Sequence, residues 1–107
     1  MKQGDVYWYN FRPPDKRRPV LVLTRNSAIR FLTGITIAPI TSTIRGIPSE
    51  VVLTPGDGLF TDCAVNCDNI QTVPKANLGA FITHLSLPKM QAVRSAIEFA
   101  LGFDALQ

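Results

Sequence analysis

Short apolar segments separated by prolines and glycines are the feature that most restricts how this chain can fold. Four runs rich in β-branched and aromatic residues are typical of strands, and they lie at 5–11, 20–23, 34–40 and 49–54. Two further short strands are predicted near 61–66 and 68–73. The run at 20–23 fits a strand buried on both faces or a short helix, because periodicity does not separate the two over so few residues.

The end of the chain follows a different period. Apolar residues fall on one face of a helix at Met90, Val93, Ile97 and Leu101. Ser86 is placed to cap the start of that helix, and Gly102 is placed to end it. We therefore predict a mainly β chain of five to seven short strands, curled into an antiparallel sheet or small barrel with a C-terminal helix. The length of 107 residues suits a single domain, 1–107.

Composition and charge are typical of a small globular protein with a basic patch. The 46% hydrophobic content excludes a disordered chain, and no apolar run approaches the ~20 residues of a membrane span. The chain begins without the long apolar segment of a secretory signal, so we expect a cytoplasmic protein that does not enter a membrane. The net charge is +3, and basic residues cluster at Arg12, Lys16, Arg17 and Arg18. This cluster fits either a solvated loop or a phosphate-binding patch.

Familiar catalytic groups are scarce in the sequence. His84 is the single histidine, and there is neither a Walker-type phosphate loop nor a Gly-x-Ser-x-Gly elbow. Cys63 and Cys67 would lie about 13 Å apart in an extended segment, which is too far for a disulfide. We therefore predict buried free thiols and no metal or cofactor. For His84 a structural hydrogen bond is favoured over a titrating role.

An enzyme with so few catalytic groups can cleave RNA, because RNA carries its own nucleophile, the ribose 2′-OH. The protein has to hold the chain in line and stabilise the negative charge of the transition state. An arginine fork binds phosphate oxygens in pairs, and a hydroxyl can donate a hydrogen bond or carry a proton. Arg18 and the Thr41-Ser42-Thr43 cluster have these properties. Arg18 equally fits a solvated arginine at the start of a strand, and the hydroxyls equally fit local backbone contacts.

Aromatic and amide side chains offer candidate contacts with bases. Tyr7, Trp8 and Tyr9 can stack on unpaired bases, although core packing is favoured for at least two of the three. Asn69 and Gln71 can pair with base edges, or can simply complete the polar face of a strand.

Five short motifs, taken in order, resemble the MazF/PemK/Kid toxins. They are Gly4-Asp5-Val6-Tyr7, Arg18-Pro19-Val20-Leu21-Val22-Leu23, Pro39-Ile40-Thr41-Ser42, the segment 46–53 and Asp68-Asn69-Ile70-Gln71-Thr72-Val73. Each motif is unspecific alone, but the ordered set covers nearly the whole chain. The resemblance implies an SH3-like, twisted antiparallel barrel of the CcdB/PemK-like type with a C-terminal helix, assembled as a homodimer.

The resemblance also implies a function. Such toxins are sequence-specific, metal-independent endoribonucleases of type II toxin–antitoxin systems, which cleave single-stranded RNA to a 2′,3′-cyclic phosphate and a 5′-OH. Arg18 would stabilise the transition-state charge and Thr41 would supply a proton or hydrogen bond, with Ser42 in reserve. The implied partners are the RNA substrate and a cognate antitoxin protein. RNA contacts are expected from Arg12, Lys16, Arg17, Ser42, Arg45, Asn69 and Gln71.

Two features depart from the family pattern, and two other functions stay open. The loop before Arg18 lacks the usual Gly-x-Glu element, so that Asp15 would have to supply its acidic group, and Gln71 stands where the family has arginine. The fold also suits a non-catalytic gyrase poison of the CcdB branch or an RNA-binding module that does not cleave. The CcdB branch ends in Trp-Gly-Ile, whereas this chain ends with residues 104–107 as Asp-Ala-Leu-Gln.

Overall fold

Seven strands, two α-helices and four short 3-10 helices make up the regular structure of the chain in a computed structural model that describes residues 1–12 and 16–106. The strands are β1 (Asp5–Asn10), β2 (Arg17–Val22), β3 (Gly34–Thr41), β4 (Glu50–Leu53), β5 (Cys63–Asn66), β6 (Gln71–Pro74) and β7 (Phe81–His84). The helices are α1 (Asn26–Ile29) and α2 (Leu87–Ala100). The predicted strands and C-terminal helix are confirmed, with two changes of bounds. The run at 20–23 belongs to β2 except for Leu23, and the strand predicted near 68–73 begins only at Gln71 because Cys67–Asn69 form a 3-10 turn. Neither β7 nor α1 was predicted.

The strands form one antiparallel sheet in the order β4-β5-β3-β2-β1-β7, with β6 also paired to β3. β3 is the centre of this sheet because it pairs with β2 along one edge and with both β6 and β5 along the other. The first four residues of β3 pair with β6 and the last two pair with β5. A short 3-10 turn at Cys67–Asn69 joins β5 to β6. The result is the curled half-barrel expected of the fold class.

Both faces of the central strands are apolar, which is why these strands read as continuous hydrophobic runs. Leu21 and Ala38 point to the face covered by α2, where they pack with Val93 of that helix. The alternate residues Val20 and Ile37 point to the opposite face and join a second apolar cluster. All four sheet residues are fully buried. Helix α2 therefore covers part of one face of the sheet, and the opposite face carries the second cluster.

Helix α2 begins and ends as its sequence predicts. The Ser86 side chain accepts a hydrogen bond from the Lys89 N–H at 3.3 Å, and Gly102 adopts the left-handed conformation with φ of 77°. Val93 is buried against the sheet, as its position in the pattern requires. Leu101 was expected on the same face, but it is the C-cap residue of the helix and is 58% exposed.

Strand β7 is fixed to β1 by a buried carboxylate. Asp5 is 5% exposed, and its side chain accepts hydrogen bonds from the Lys2 N–H and the Tyr7 hydroxyl, at 2.8 and 3.3 Å. His84 Nδ1 lies 2.8 Å from the other carboxylate oxygen. The structural hydrogen bond predicted for His84 is therefore confirmed.

The two cysteines are buried free thiols, as predicted. Burial raises the pKa of the Cys67 thiol to about 11, and the negative charge of Asp68 adds to the effect. Neither helix in the ranges 1–12 and 16–106 is long and apolar enough to cross a membrane.

The packing at Leu21 provides a test of the fold. Leu21→Ala removes a fully buried side chain from the cluster under α2, so we expect the free energy of unfolding to fall by about 2–5 kcal/mol. Val52→Ala is the control, because Val52 is 41% exposed on β4 and its truncation should cost no more than about 0.5 kcal/mol. Urea titration measures both. Equal losses in the two variants would show that this cluster is not the main core.

Candidate active site

A groove of about 510 Å³ lies on the sheet face opposite to α2. Its polar lining consists of Arg18, Thr41, Thr43, Arg45, Asn66, Asn69 and Gln71, and its apolar lining consists of Phe11 and Pro39. Five of the residues predicted to bind or cleave RNA therefore share one groove, although they come from four separate parts of the chain. Thr43 belongs to the hydroxyl cluster that was singled out from the sequence, whereas Phe11, Pro39 and Asn66 line the groove without having been assigned a role.

The pairing of β2 with β3 explains why Arg18 and Thr41 share this groove. Val20 pairs with Pro39, and the same register continued by two residues on each strand sets Arg18 opposite Thr41. Because side chains alternate along a strand, Arg18 lies on the same face as Val20, and Thr41 on the same face as Pro39. Both side chains are partly buried, at the point where the apolar cluster gives way to the groove.

The hydroxyl of Thr41 is left with a proton to donate. Its Oγ1 accepts a hydrogen bond from the Thr43 N–H at 3.1 Å. A threonine hydroxyl has one proton and two lone pairs, so this contact occupies a lone pair and orients the group. The O–H can therefore donate to an anionic ligand in the groove.

One wall of the groove is the loop between β3 and β4. Glu50 holds this loop, since its Oε1 accepts hydrogen bonds from the N–H groups of Arg45 and Gly46 at 2.9 and 3.2 Å. Gly46 has φ of +68°, a left-handed conformation that favours glycine. The guanidinium of Arg45 thereby lines the same groove as that of Arg18.

The turn between β5 and β6 lies next to this loop and forms another part of the wall. Ser49 is 2% exposed, and its hydroxyl donates to the Asp68 carboxylate at 2.5 Å. The Asp68 N–H in turn donates to the Asn66 side chain at 3.0 Å. These bonds fix the turn that carries Asn69 and leads into Gln71. Ser49, which holds this turn in place, lies within the segment 46–53 that resembles the family. Only that resemblance marks the residue in the sequence.

Four of the predicted RNA contacts lie outside the groove. Arg17 is on the opposite face of β2 from Arg18, and its guanidinium carbon lies 4.4 Å from the centre of the Trp8 ring. Arg12 and Lys16 are exposed in the loop between β1 and β2, and Ser42 is exposed beside Thr41. Asp15, the candidate for the missing acidic group of that loop, lies outside the described residues.

The groove is suited to an anion. Its described lining includes two guanidinium groups and no carboxylate. Two guanidinium groups can bind phosphate oxygens with paired hydrogen bonds, and the neighbouring amides can both donate to and accept from bases. No cluster of three His, Cys, Asp or Glu side chains that could hold a metal ion occurs within 1–12 and 16–106.

Comparison with known proteins gives the same answer as the motifs. The model of the PemK-like, MazF-like toxin of type II toxin-antitoxin system matches residues 2–101. The chain belongs to this toxin family. It is 43% identical over 90 residues to a protein named Endoribonuclease MazF3 from Mycobacterium tuberculosis, covering 84% of this chain and 87% of that relative.

Solved structures of family members share the fold. The Mycobacterium tuberculosis toxin MazF-mt6 superposes with a TM-score of 0.84 at 39% identity, covering 92% of this chain and 96% of that one. An endoribonuclease in complex with its cognate antitoxin, from a mycobacterial species, also superposes with a TM-score of 0.84, at 29% identity and 95% coverage of both chains. The CcdB/PemK-like architecture predicted for the chain is therefore confirmed.

Proposed function

We propose that this member of the toxin family is a sequence-specific endoribonuclease that cleaves single-stranded RNA in the Arg18–Thr41 groove. The observation that carries the proposal is that a guanidinium and a hydroxyl able to donate lie in one groove walled by amides. The relatives named as endoribonucleases support the same activity.

The chemistry is an internal transfer within the RNA. The ribose 2′-oxygen forms a bond to the adjacent phosphorus while the bond from phosphorus to the 5′-oxygen breaks. The 2′-OH loses its proton and the departing 5′-oxygen gains one, which leaves a 2′,3′-cyclic phosphate and a 5′-OH. Arg18 binds the non-bridging phosphate oxygens, where charge accumulates in the transition state, and Thr41 donates a proton or hydrogen bond to a phosphate oxygen.

The side-chain amides that line the groove select a short RNA sequence. Asn66, Asn69 and Gln71 line the groove, and each amide can pair with the edge of a base. Only unpaired bases present those edges freely, so the groove favours single strands. Gln71 occupies the position where the family has arginine, and we expect it to change which base is preferred without contributing charge.

The partners and location follow from family membership as parts of the same proposal. We propose a cognate antitoxin whose acidic segment covers the basic groove, because opposite charges favour that encounter. Such a complex is known for the mycobacterial relative. We also propose that the protein works as a homodimer in the cytoplasm, where RNA is available.

Cleavage of a labelled single-stranded RNA in EDTA tests the proposed function. We expect cuts at a short recurring sequence, with 2′,3′-cyclic phosphate ends, because the groove chemistry uses no metal. The control is the same RNA with a 2′-deoxy sugar at the mapped position, which has lost its nucleophile and should stay intact. Binding without cleavage would indicate an RNA-binding module instead, and gyrase inhibition without either would indicate a poison of the CcdB type.

A further inference from the structure

A second set of side chains suited to nucleic acid lies on the sheet face opposite to the groove. We call it the aromatic platform and define it as Trp8, Asn10, Arg17, Phe60 and Asn77. The rings of Trp8 and Phe60 are stacked, with centres 5.5 Å apart and planes inclined by 17°. Arg17 lies over Trp8, and these two residues line a concavity of about 330 Å³ together with both asparagines. Phe60 lies beside this concavity, against the Trp8 ring. Phe60 is 70% exposed, which leaves a large apolar surface in water.

The platform and the groove meet at one end of the β1–β2 hairpin. Asn10 pairs with Arg17 and Tyr9 pairs with Arg18, so successive residues of β2 point to the platform and to the groove. Arg12 and Lys16 are exposed in the loop between these two surfaces. Positive side chains therefore lie on both faces of β2 and at the described residues next to the turn of the hairpin.

We infer that the platform binds a nucleotide that flanks the cleavage site on the same RNA strand. The inference rests on the proposed ribonuclease function and extends it to a second binding site. A base stacks on the exposed ring of Phe60, which Trp8 supports from behind, and Arg17 neutralises a phosphate of the passing backbone. Asn10 and Asn77 offer amides to the same strand within the concavity beside Trp8. The groove selects the cleaved sequence, and the platform holds the strand that leaves it.

The chemistry of the platform favours RNA over a protein segment. Stacking on an aromatic ring is tolerant of sequence because every base has a flat face, and it suits an exposed ring next to a cation. An acidic protein segment would use Arg17 but would leave the stacked rings and both amides without a role. Binding of a protein partner would be recognised by a change in inhibition by the antitoxin without a change in the preference for extended RNA.

The experiment compares RNAs of different length. The mapped cleavage sequence is placed in an oligonucleotide that only fills the groove, and in others extended at the 5′ end, the 3′ end or both. For the wild-type protein we expect kcat/KM to be higher with an extension on the side that reaches the platform. Phe60→Ala should lower the ratio of kcat/KM for the extended RNA to kcat/KM for the short RNA by about fivefold or more. Arg17→Ala should lower the same ratio and reduce the slope of log affinity against log salt by about 0.7.

Phe31→Ala is the matched control. Phe31 is 78% exposed and has the Arg30 guanidinium carbon 5.6 Å from its ring centre, but it lies beyond α1 and outside the platform. This variant should keep the wild-type ratio. Thermal melts of each variant check that the fold is intact.

Trp8 is the single tryptophan of the chain, so its fluorescence reports directly on binding at the platform. An extended RNA with a 2′-O-methyl group at the cleavage position should change Trp8 fluorescence on binding, and the short RNA should not. An unchanged ratio in Phe60→Ala, or equal Trp8 signals with both RNAs, would overturn the inference. If short RNA is still cleaved in those cases, the proposed ribonuclease function stands. If Phe60→Ala weakens inhibition by the antitoxin and leaves the ratio unchanged, the platform binds protein and the inference is wrong.

Discussion

Arg18→Ala should leave the protein folded and lower its rate of RNA cleavage on the order of 10²-fold or more. The guanidinium of Arg18 is partly buried at the edge of the groove, so its removal opens no cavity in either apolar cluster. What is lost is the paired contact with phosphate oxygens, which is strongest when charge accumulates in the transition state. Single-turnover cleavage of a labelled RNA at saturating protein measures the chemical step directly.

Two further variants sharpen this prediction. Arg18→Lys keeps the charge but loses the planar fork, so it should recover only part of the activity. Arg25→Ala removes an exposed arginine outside the groove and should cleave at the wild-type rate. Equal activity in Arg18→Ala and Arg25→Ala would show that Arg18 takes no part in the reaction.

Thr41→Val should lower the rate of the chemical step on the order of 10²-fold, because the groove loses a hydroxyl that donates to the phosphate. Valine has nearly the shape of threonine and suits a strand, so the fold should be kept. The Thr43 N–H loses its acceptor but is exposed and can bind water. Single-turnover rates at saturating protein separate this loss from weaker RNA binding.

Two further variants test whether the hydroxyl of Thr41 is responsible: Thr41→Ser keeps it, and Thr33→Val is a control outside the groove. Serine keeps the hydroxyl and should recover most of the activity. Thr33 is exposed and lies outside the groove, so its replacement by valine should change nothing. A Thr41→Ser variant as slow as Thr41→Val would assign the effect to shape and not to the hydroxyl.

Much of the fold could be predicted because local signals agree with the final packing. Ser86 and Gly102 sit where the helix starts and stops, and the β-branched run at 34–40 becomes the central strand. Strand β7 was missed because it pairs with distant β1 across a register shift, and its exposure pattern does not alternate. Pairing of that kind depends on tertiary contacts, which local propensity does not contain.

The candidate site was predicted in part, and there is a physical reason why its other residues were missed. The motifs contain Arg18, Thr41, Asn69 and Gln71, and Arg45 was expected as an RNA contact next to the segment 46–53. The sheet brings all five together from distant parts of the chain. Charge alone grouped Arg17 with Arg18, although β2 begins at Arg17 and alternation sends the two to opposite faces. The strand had been expected to begin only after Pro19. Supports such as Ser49 act through bonds to residues far along the chain, and composition gives no sign of them.

The most direct measurement is a double-mutant cycle on the chemical step with Arg18→Ala, Thr41→Val and the two combined. If guanidinium and hydroxyl act on the same phosphate, the combined variant should be scarcely slower than the slower of the two single variants. Losses that simply multiply would show that the two side chains act independently, and would contradict a shared site for cleavage.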